Sequence, residues 1–303
     1  MVLVAVGLVV GCGPAQDVGV DRPKVIGASL LTQTHVFYQD MVAAMKVAAK
    51  EQNLTLRVQY CEFKSKPQND QIDTFVAQGV DAILVSPADS SGITPAIAAA
   101  QKKGIPVFTV DIAAHGANVT SHIASDNERG GELLAEYLAK MLGGKGKIAI
   151  IDHPTVASVQ DRTRGFEKVL AQYPDMTIVQ RVPGEGQRDK ALRAAQDLLQ
   201  AQPDLDAIFG INDDSALGAL AAVEAAGMED KIVIVGFDGT PEAEETIAAG
   251  KALKADAVQY PAKIGQTTIA IIADYLSGKE VPPVVPVAVG LIDHASLNAK
   301  GMG

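Results

Sequence analysis

The chain has 303 residues, enough for two domains of ordinary size that each bury a core. With 26 basic and 36 acidic residues it carries a formal charge of -10, and no Lys/Arg cluster forms a nucleic-acid footprint, so DNA and RNA are excluded as partners. Trp is absent and aromatics make up 4% of the residues, which makes the adjacent pair Phe37 and Tyr38 conspicuous; the two cysteines, Cys12 and Cys61, are too far apart to read as a disulfide framework.

Residues 1–11 are almost wholly apolar, too short to span a bilayer, and run into Val9-Val10-Gly11-Cys12. This resembles a bacterial lipoprotein signal, with Cys12 as the lipidated residue, although the first basic residue is Arg22. Residues 12–23, polar with Gly and Pro, read as a tether from anchor to domain.

Beyond the tether, apolar runs and helical spacing alternate. Strands are predicted at 24–29, 54–60, 81–86 and 106–111, with helices at 37–52, 69–78 and 93–103 between them. The order is that of a parallel sheet with helices on both faces. A helix at 130–141 follows, and the alternation restarts: strands at 147–152, 177–182, 207–211 and 232–238, with helices at 161–173, 189–201 and 215–226. A helix at 241–249, a strand at 252–258, a helix at 262–276 and an apolar run at 284–289 complete the pattern.

The alternation contains a repeat. Gly79-Val-Asp-Ala-Ile-Leu-Val-Ser-Pro-Ala-Asp-Ser90 returns as Asp204-Leu-Asp-Ala-Ile-Phe-Gly-Ile-Asn-Asp-Asp-Ser215, each followed by an Ala-rich helix and a strand ending in a carboxylate, Asp111 and Asp238. The fold class is therefore α/β, two similar doubly wound parallel-sheet lobes. Each lobe places an Asp at the carboxyl edge of its sheet, where open parallel sheets bind ligands.

Three passages carry a family resemblance: Ser121-His-Ile-Ala-Ser-Asp-Asn127, Asn212-Asp-Asp-Ser-Ala-Leu-Gly-Ala-Leu220 and Val235-Gly-Phe-Asp-Gly-Thr-Pro241. In these the chain resembles a type I periplasmic sugar-binding protein of the ribose-binding branch, the solute receptor of an ABC importer, over about 24–289. The resemblance implies a three-segment hinge, with lobe one at 24–125 plus 260–287 and lobe two at 126–259 plus 288–303. It implies an extracytoplasmic, lipid-anchored bacterial protein that acts as a monomer, presents a monosaccharide to a membrane permease and its ATPase subunit, uses no cofactor or metal and catalyses nothing.

The resemblance also assigns ligand contacts. Asp111 and Asp238 accept hydrogen bonds from sugar hydroxyls, Arg162 spans two of them with its planar fork, and Arg164 is an exposed neighbour. Asn212 either meets the ligand or caps the helix that follows. Gln259 reaches the ligand from the hinge. Phe37 and Tyr38 stack on the apolar face of the sugar ring, and His35 stands where a polar loop residue donates to it. Three departures from the ribose pattern point to another monosaccharide or a polyol: Ile112 replaces an arginine, Thr32-Gln33-Thr34 lengthens a loop, and the loop from Pro183 to Gly186 lacks a second stacking aromatic.

Other classes fit less well. Asp111 and Asp238 could be the acid and base of a glycosidase, but no third catalytic element accompanies them. There is no phosphate-binding Gly loop and no His/Cys cluster at metal spacing; His115, His122, His153 and His294 are scattered. A sugar-responsive repressor shares the fold but begins with a helix-turn-helix, whereas this chain begins with a signal-like run. A receptor for a chemotaxis or quorum signal would use the same cleft.

Overall fold

The computed structural model describes residues 22–299; the expected signal segment and Cys12, nearly all of the tether, and residues 300–303 lie outside them. Strands β1 (Lys24–Leu30), β2 (Leu54–Tyr60), β3 (Ala82–Val85), β4 (Val107–Val110) and β5 (Ser121–Ser125) build a first sheet. Strands β6 (Lys145–Asp152), β7 (Asp175–Pro183), β8 (Ala207–Gly210), β9 (Val233–Asp238) and β10 (Leu253–Val258) build a second. The chain then returns to the first sheet for β11 (Val284–Val287) and ends in the second with β12 (Gly290–Asp293). It thus crosses between lobes three times.

The sheet orders are β11-β5-β4-β3-β1-β2 and β12-β10-β9-β8-β6-β7, so the two lobes match strand for strand. All pairings are parallel except β10 with β12. The short β3 (AILV) and β4 (VFTV) are buried along their whole length, as unbroken apolar runs in a parallel sheet covered on both faces require.

Helices α1 (Val36–Glu51), α2 (Ser65–Ala77), α3 (Thr94–Lys102) and α9 (Pro261–Leu276) clothe the first sheet; α4 (Asn127–Met141), α5 (Ala157–Leu170), α6 (Arg188–Ala201), α7 (Asp213–Ala225), α8 (Pro241–Ala248) and α10 (His294–Ala299) clothe the second. One apolar cluster runs without a break from Phe108 in the first lobe, through Ile112, Val156 and Val159, to Phe209 in the second. None of the described helices is long and apolar enough to cross a membrane.

Three elements escape the sequence pattern. β5, with a Ser at each end and a His, is too polar to read as a strand, β12 has only two apolar residues between Gly290 and Asp293, and α10 is too short. Helix α4 starts at Asn127 rather than near 130, because Asp126 caps it by accepting from the Arg129 N–H at 3.1 Å. Its Gly130-Gly131 step, which weakens the helical signal, is a packing device. A Cβ on Gly131 would lie 1.9 Å from the Arg162 carbonyl oxygen, and one on Gly165 would lie 2.0 Å from the Glu128 carbonyl oxygen. The backbones of α4 and α5 therefore touch, and that contact fixes where α5 carries its side chains.

Gly131→Ala is expected to force α5 away from α4 and to lower the unfolding free energy by about 1–3 kcal/mol in chemical denaturation, the usual effect of overpacking. An unchanged denaturation midpoint would show that the helices have slack.

Candidate functional site

The strands of both sheets deliver their carboxyl ends to one interlobe cavity with about 490 Å³ of space between protein atoms, part of it open to solvent. All eight residues singled out in the sequence, His35, Phe37, Tyr38, Asp111, Arg162, Asn212, Asp238 and Gln259, line it.

Asp111 follows the last residue of β4, and Asp238 is the last residue of β9. Both have positive φ, 64° and 142°. Such backbone costs on the order of 1–3 kcal/mol per residue and persists where the surroundings over-determine it. The repeat thus places the same kind of backbone departure at equivalent positions in both lobes.

The Tyr38 hydroxyl donates to Asp111 Oδ2 at 2.5 Å and also meets Ser86 Oγ at 2.9 Å. Burial raises the Asp111 pKa to about 6, against the opposing pull of Tyr38 and Arg162. Tyr38 itself is pushed well above the ordinary tyrosine value by burial and by Asp111. The rings of Phe37 and Tyr38 meet edge to face at 81° and 5.3 Å, both lining the cavity, and Tyr38 also serves Asp111 through its hydroxyl.

Arg162 is 4% exposed and tightly held. Its Nε donates to Asn127 Oδ1 at 2.8 Å, its Nη1 donates to the Ile211 carbonyl at 2.7 Å, and its Cζ lies 3.8 Å from the centroid of the Phe237 ring. The Asp238 carboxylate is 4.0 Å from Nη1. Two of the three guanidinium nitrogens already serve the protein, so Arg162 presents less of its fork to the cavity than the sequence reading assumed. Arg164, by contrast, pairs with Asp161 and Glu128 at the surface.

Of the two readings of Asn212, the helix cap is the one the structure shows. Its Oδ1 caps α7 by accepting from the Ser215 N–H at 2.9 Å, and its Nδ2 donates to the Gly186 carbonyl at 3.1 Å, while the residue lines the cavity. The amide oxygen is thereby committed to the helix. Gln259 donates from Nε2 to Asp238 Oδ1 at 2.6 Å, leaving its buried Oε1 with no protein donor. An orphaned acceptor in a polar cavity asks for a hydroxyl or amine.

His35 differs from the free donor expected of it. Its Nδ1 accepts from the Phe37 N–H at 3.2 Å, capping α1, so the neutral ring carries its proton on Nε2. That nitrogen lies 3.3 Å from Asp238 Oδ2 and 3.8 Å from Asp214 Oδ2, which joins the lobes across the cavity.

Several lining residues were not read from the sequence. Leu31, Phe63, Val156 and Val159 add apolar walls, and Ile112 stands among them as expected. Phe63 has φ 59°, a rare conformation for a bulky residue; a lone aromatic just past a strand in an aromatic-poor chain was its one signal. His153, counted among scattered histidines, lines the cavity beside Gly186, where a Cβ would lie 3.7 Å from its Nδ1. Burial lowers its pKa.

Behind Asp238 lies a second carboxyl pair. Asp213 accepts from Thr240 N at 2.7 Å and Oγ1 at 2.5 Å, and it faces the fully buried Asp256, whose two oxygens meet no protein donor. A Cβ on Gly236 would lie 3.2 Å from Asp213 Oδ1 and 3.3 Å from Asp256 Oδ2. Burial pushes both pKa values up, helped at Asp213 by the charge of Asp238 and at Asp256 by that of Asp213, so the pair holds a proton that serves as the missing donor. Among the described residues no cluster of three His, Cys, Asp or Glu side chains is arranged to hold a metal ion.

The chain belongs to the periplasmic binding protein family, whose domain model matches residues 26–280. It is 33% identical over 268 residues to the ribose import binding protein of Bacillus subtilis, covering 88% of this chain and 86% of that one. It is 30% identical over 249 residues to the xylitol-binding protein of Mycolicibacterium smegmatis, covering 81% and 71%. Among solved structures, an ABC transporter periplasmic solute-binding protein from Actinobacillus succinogenes with bound D-allose superposes with a TM-score of 0.82 at 30% identity, over 91% of this chain and 99% of that one.

The buried carboxyl pair makes stability depend on pH. Groups whose folded pKa is raised stabilise below the unfolded value of 3.8 and lose that contribution as pH rises through the folded value. Denaturation across about pH 4 to 8 should show stability falling as pH rises, and Asp256→Asn, which donates to Asp213 without a titrating proton, should flatten the slope. An unaltered slope in the variant would place the linked proton elsewhere.

Proposed function

We propose that this protein is the extracytoplasmic solute receptor of an ABC sugar importer, capturing one monosaccharide-sized ligand between its lobes and presenting it to a permease with its ATPase subunit. The observation that carries the reading is the pairing of Asp111 and Asp238 from equivalent strand ends of the two lobes across one cavity that also holds Arg162. Ligand hydroxyls donate to the carboxylates and to Gln259 Oε1, and accept from the Nη2 of Arg162. Each charge-assisted bond contributes about 1.5–3 kcal/mol once water is excluded. Because the two Asp residues belong to different lobes, ligand favours the closed state in which both reach it.

The lobe boundaries, 24–125 with 260–287 and 126–259 with 288–303, are supported by the three crossings between sheets. Attachment to the membrane through Cys12, action as a monomer and the absence of catalysis belong to the same proposal. Polyols stand beside sugars as ligands, since Ile112 puts an apolar wall beside Asp111 and a relative binds xylitol.

A thermal-shift and calorimetry panel of D-ribose, D-allose, xylitol and myo-inositol is expected to give at least one ligand. Its affinity should fall below about pH 6 as Asp111 takes up a proton, by up to about tenfold per pH unit. Asp111→Asn should weaken binding at least ~10-fold and remove that pH dependence. A non-carbohydrate raising the melting temperature while the whole panel fails would refute the sugar assignment.

A further inference from the structure

Helix α5 carries Arg162 but has no cap of its own: Val156 at its N-cap position makes no side-chain hydrogen bond to the first turn. Helices leave their first amides unpaired unless a side chain supplies an acceptor, and Ser is among the preferred ones. Here the acceptor comes from the other lobe. Ser90 Oγ accepts the Ala157 N–H at 2.8 Å, and the Ser90 N–H donates to the Thr155 carbonyl at 3.0 Å. Ser90 is fully buried and does not line the cavity.

The grip has a second point. The Ser90 carbonyl accepts from the His115 N–H at 2.7 Å, and the His115 ring Nε2 meets Gln160 Oε1, also on α5, at 2.9 Å. Gln160 in turn donates to the Pro154 carbonyl at 2.8 Å. Two lobe-one residues thus hold residues 155, 157 and 160 of lobe two.

The repeat shows what makes this possible. Ser215, the counterpart of Ser90, lies inside α7, which starts two residues past β8. In lobe one residues 86–93 form a loop before α3, and Asp89 Oδ1 accepts from the N–H groups of Ser91 and Gly92 at 2.9 and 2.6 Å. The delayed helix leaves Ser90 free to reach across the interface.

We propose that Ser90 is a cap in trans, so that lobe closure completes the N-terminus of the helix bearing Arg162 and Ser90 sets the stability of the closed form without touching the ligand. Its effect on affinity rests on the receptor reading; the cap does not. On opening, Ala157 N–H and Thr155 C=O lose their partners together. Ser90 is thus a positioning residue, acting through α5.

The test compares wild type with Ser90→Ala by amide hydrogen exchange, with and without ligand, and by calorimetry with D-ribose, D-allose, xylitol and myo-inositol. The variant should exchange the Ala157 amide about fivefold faster while α6 is unaffected, and should weaken every panel member that binds by a common factor of about fivefold, mainly through faster release. Equal exchange at Ala157 in the two proteins would overturn the cap. Affinity losses that differ from one sugar to another would overturn it too, because they would mean that Ser90 touches ligand. If wild type binds no panel member while a non-carbohydrate raises its melting temperature, the sugar assignment fails, and the exchange measurement still decides the cap.

Discussion

A buried guanidinium is costly unless every side of it is paired, and the lobe-two side of the cavity is organised around meeting that demand for Arg162. Asn127 takes Nε, the Ile211 carbonyl takes Nη1, the Phe237 ring covers the plane, and Asp238 supplies the nearest charge. These partners come from the start of α4, the end of β8 and the end of β9. Three elements must therefore be in register before the arginine is satisfied, which couples the site to the assembly of lobe two. The two glycines beside Asn127 serve the same end: Gly130 leaves room for the Phe237 ring, and Gly131 lets α4 lie against the backbone of Arg162 itself.

Lobe one meets this cation with a carboxylate that is less ready to ionise. Asp111 is held by Tyr38 and raised by burial to about 6, while Asp238 is held by Gln259 and His35. The lobes are alike in topology yet unlike in chemistry. The first supplies the aromatic walls, the second most of the polar groups alongside Val156, Val159 and Ile211. His35 and Ser90, both from lobe one, reach residues of lobe two, so protein contacts hold the two lobes together.

Much of this was legible in the residues. Alternating apolar runs and helical spacing located most strands and helices, and the repeat ending in Asp111 and Asp238 located the cavity, because a parallel sheet exposes its carboxyl edge wherever its strands stop. What stayed hidden was pairing between distant segments. Nothing local to Asn127 says that it holds Arg162. The start of α5 was misplaced because its cap lies in another lobe, and the start of α4 because Asn127 to Arg129 carry no apolar residue to open the helical pattern. Phe63 entered the cavity through a positive-φ backbone that no periodicity encodes, and His153 by directly following the end of β6. Tyr38 stood out for its ring, and its hydroxyl, which holds Asp111, had no local signal.

The central claim is that the geometry of Arg162, more than its charge, makes the cavity a binding site. The most direct measurement is the calorimetric affinity of Arg162→Lys for the panel sugar or polyol that wild type binds most tightly. A lysine keeps the charge but cannot donate to Asn127 and Ile211 while lying flat on Phe237. The account predicts a loss of at least ~10-fold in a variant that still folds; affinity within about threefold of wild type would contradict it.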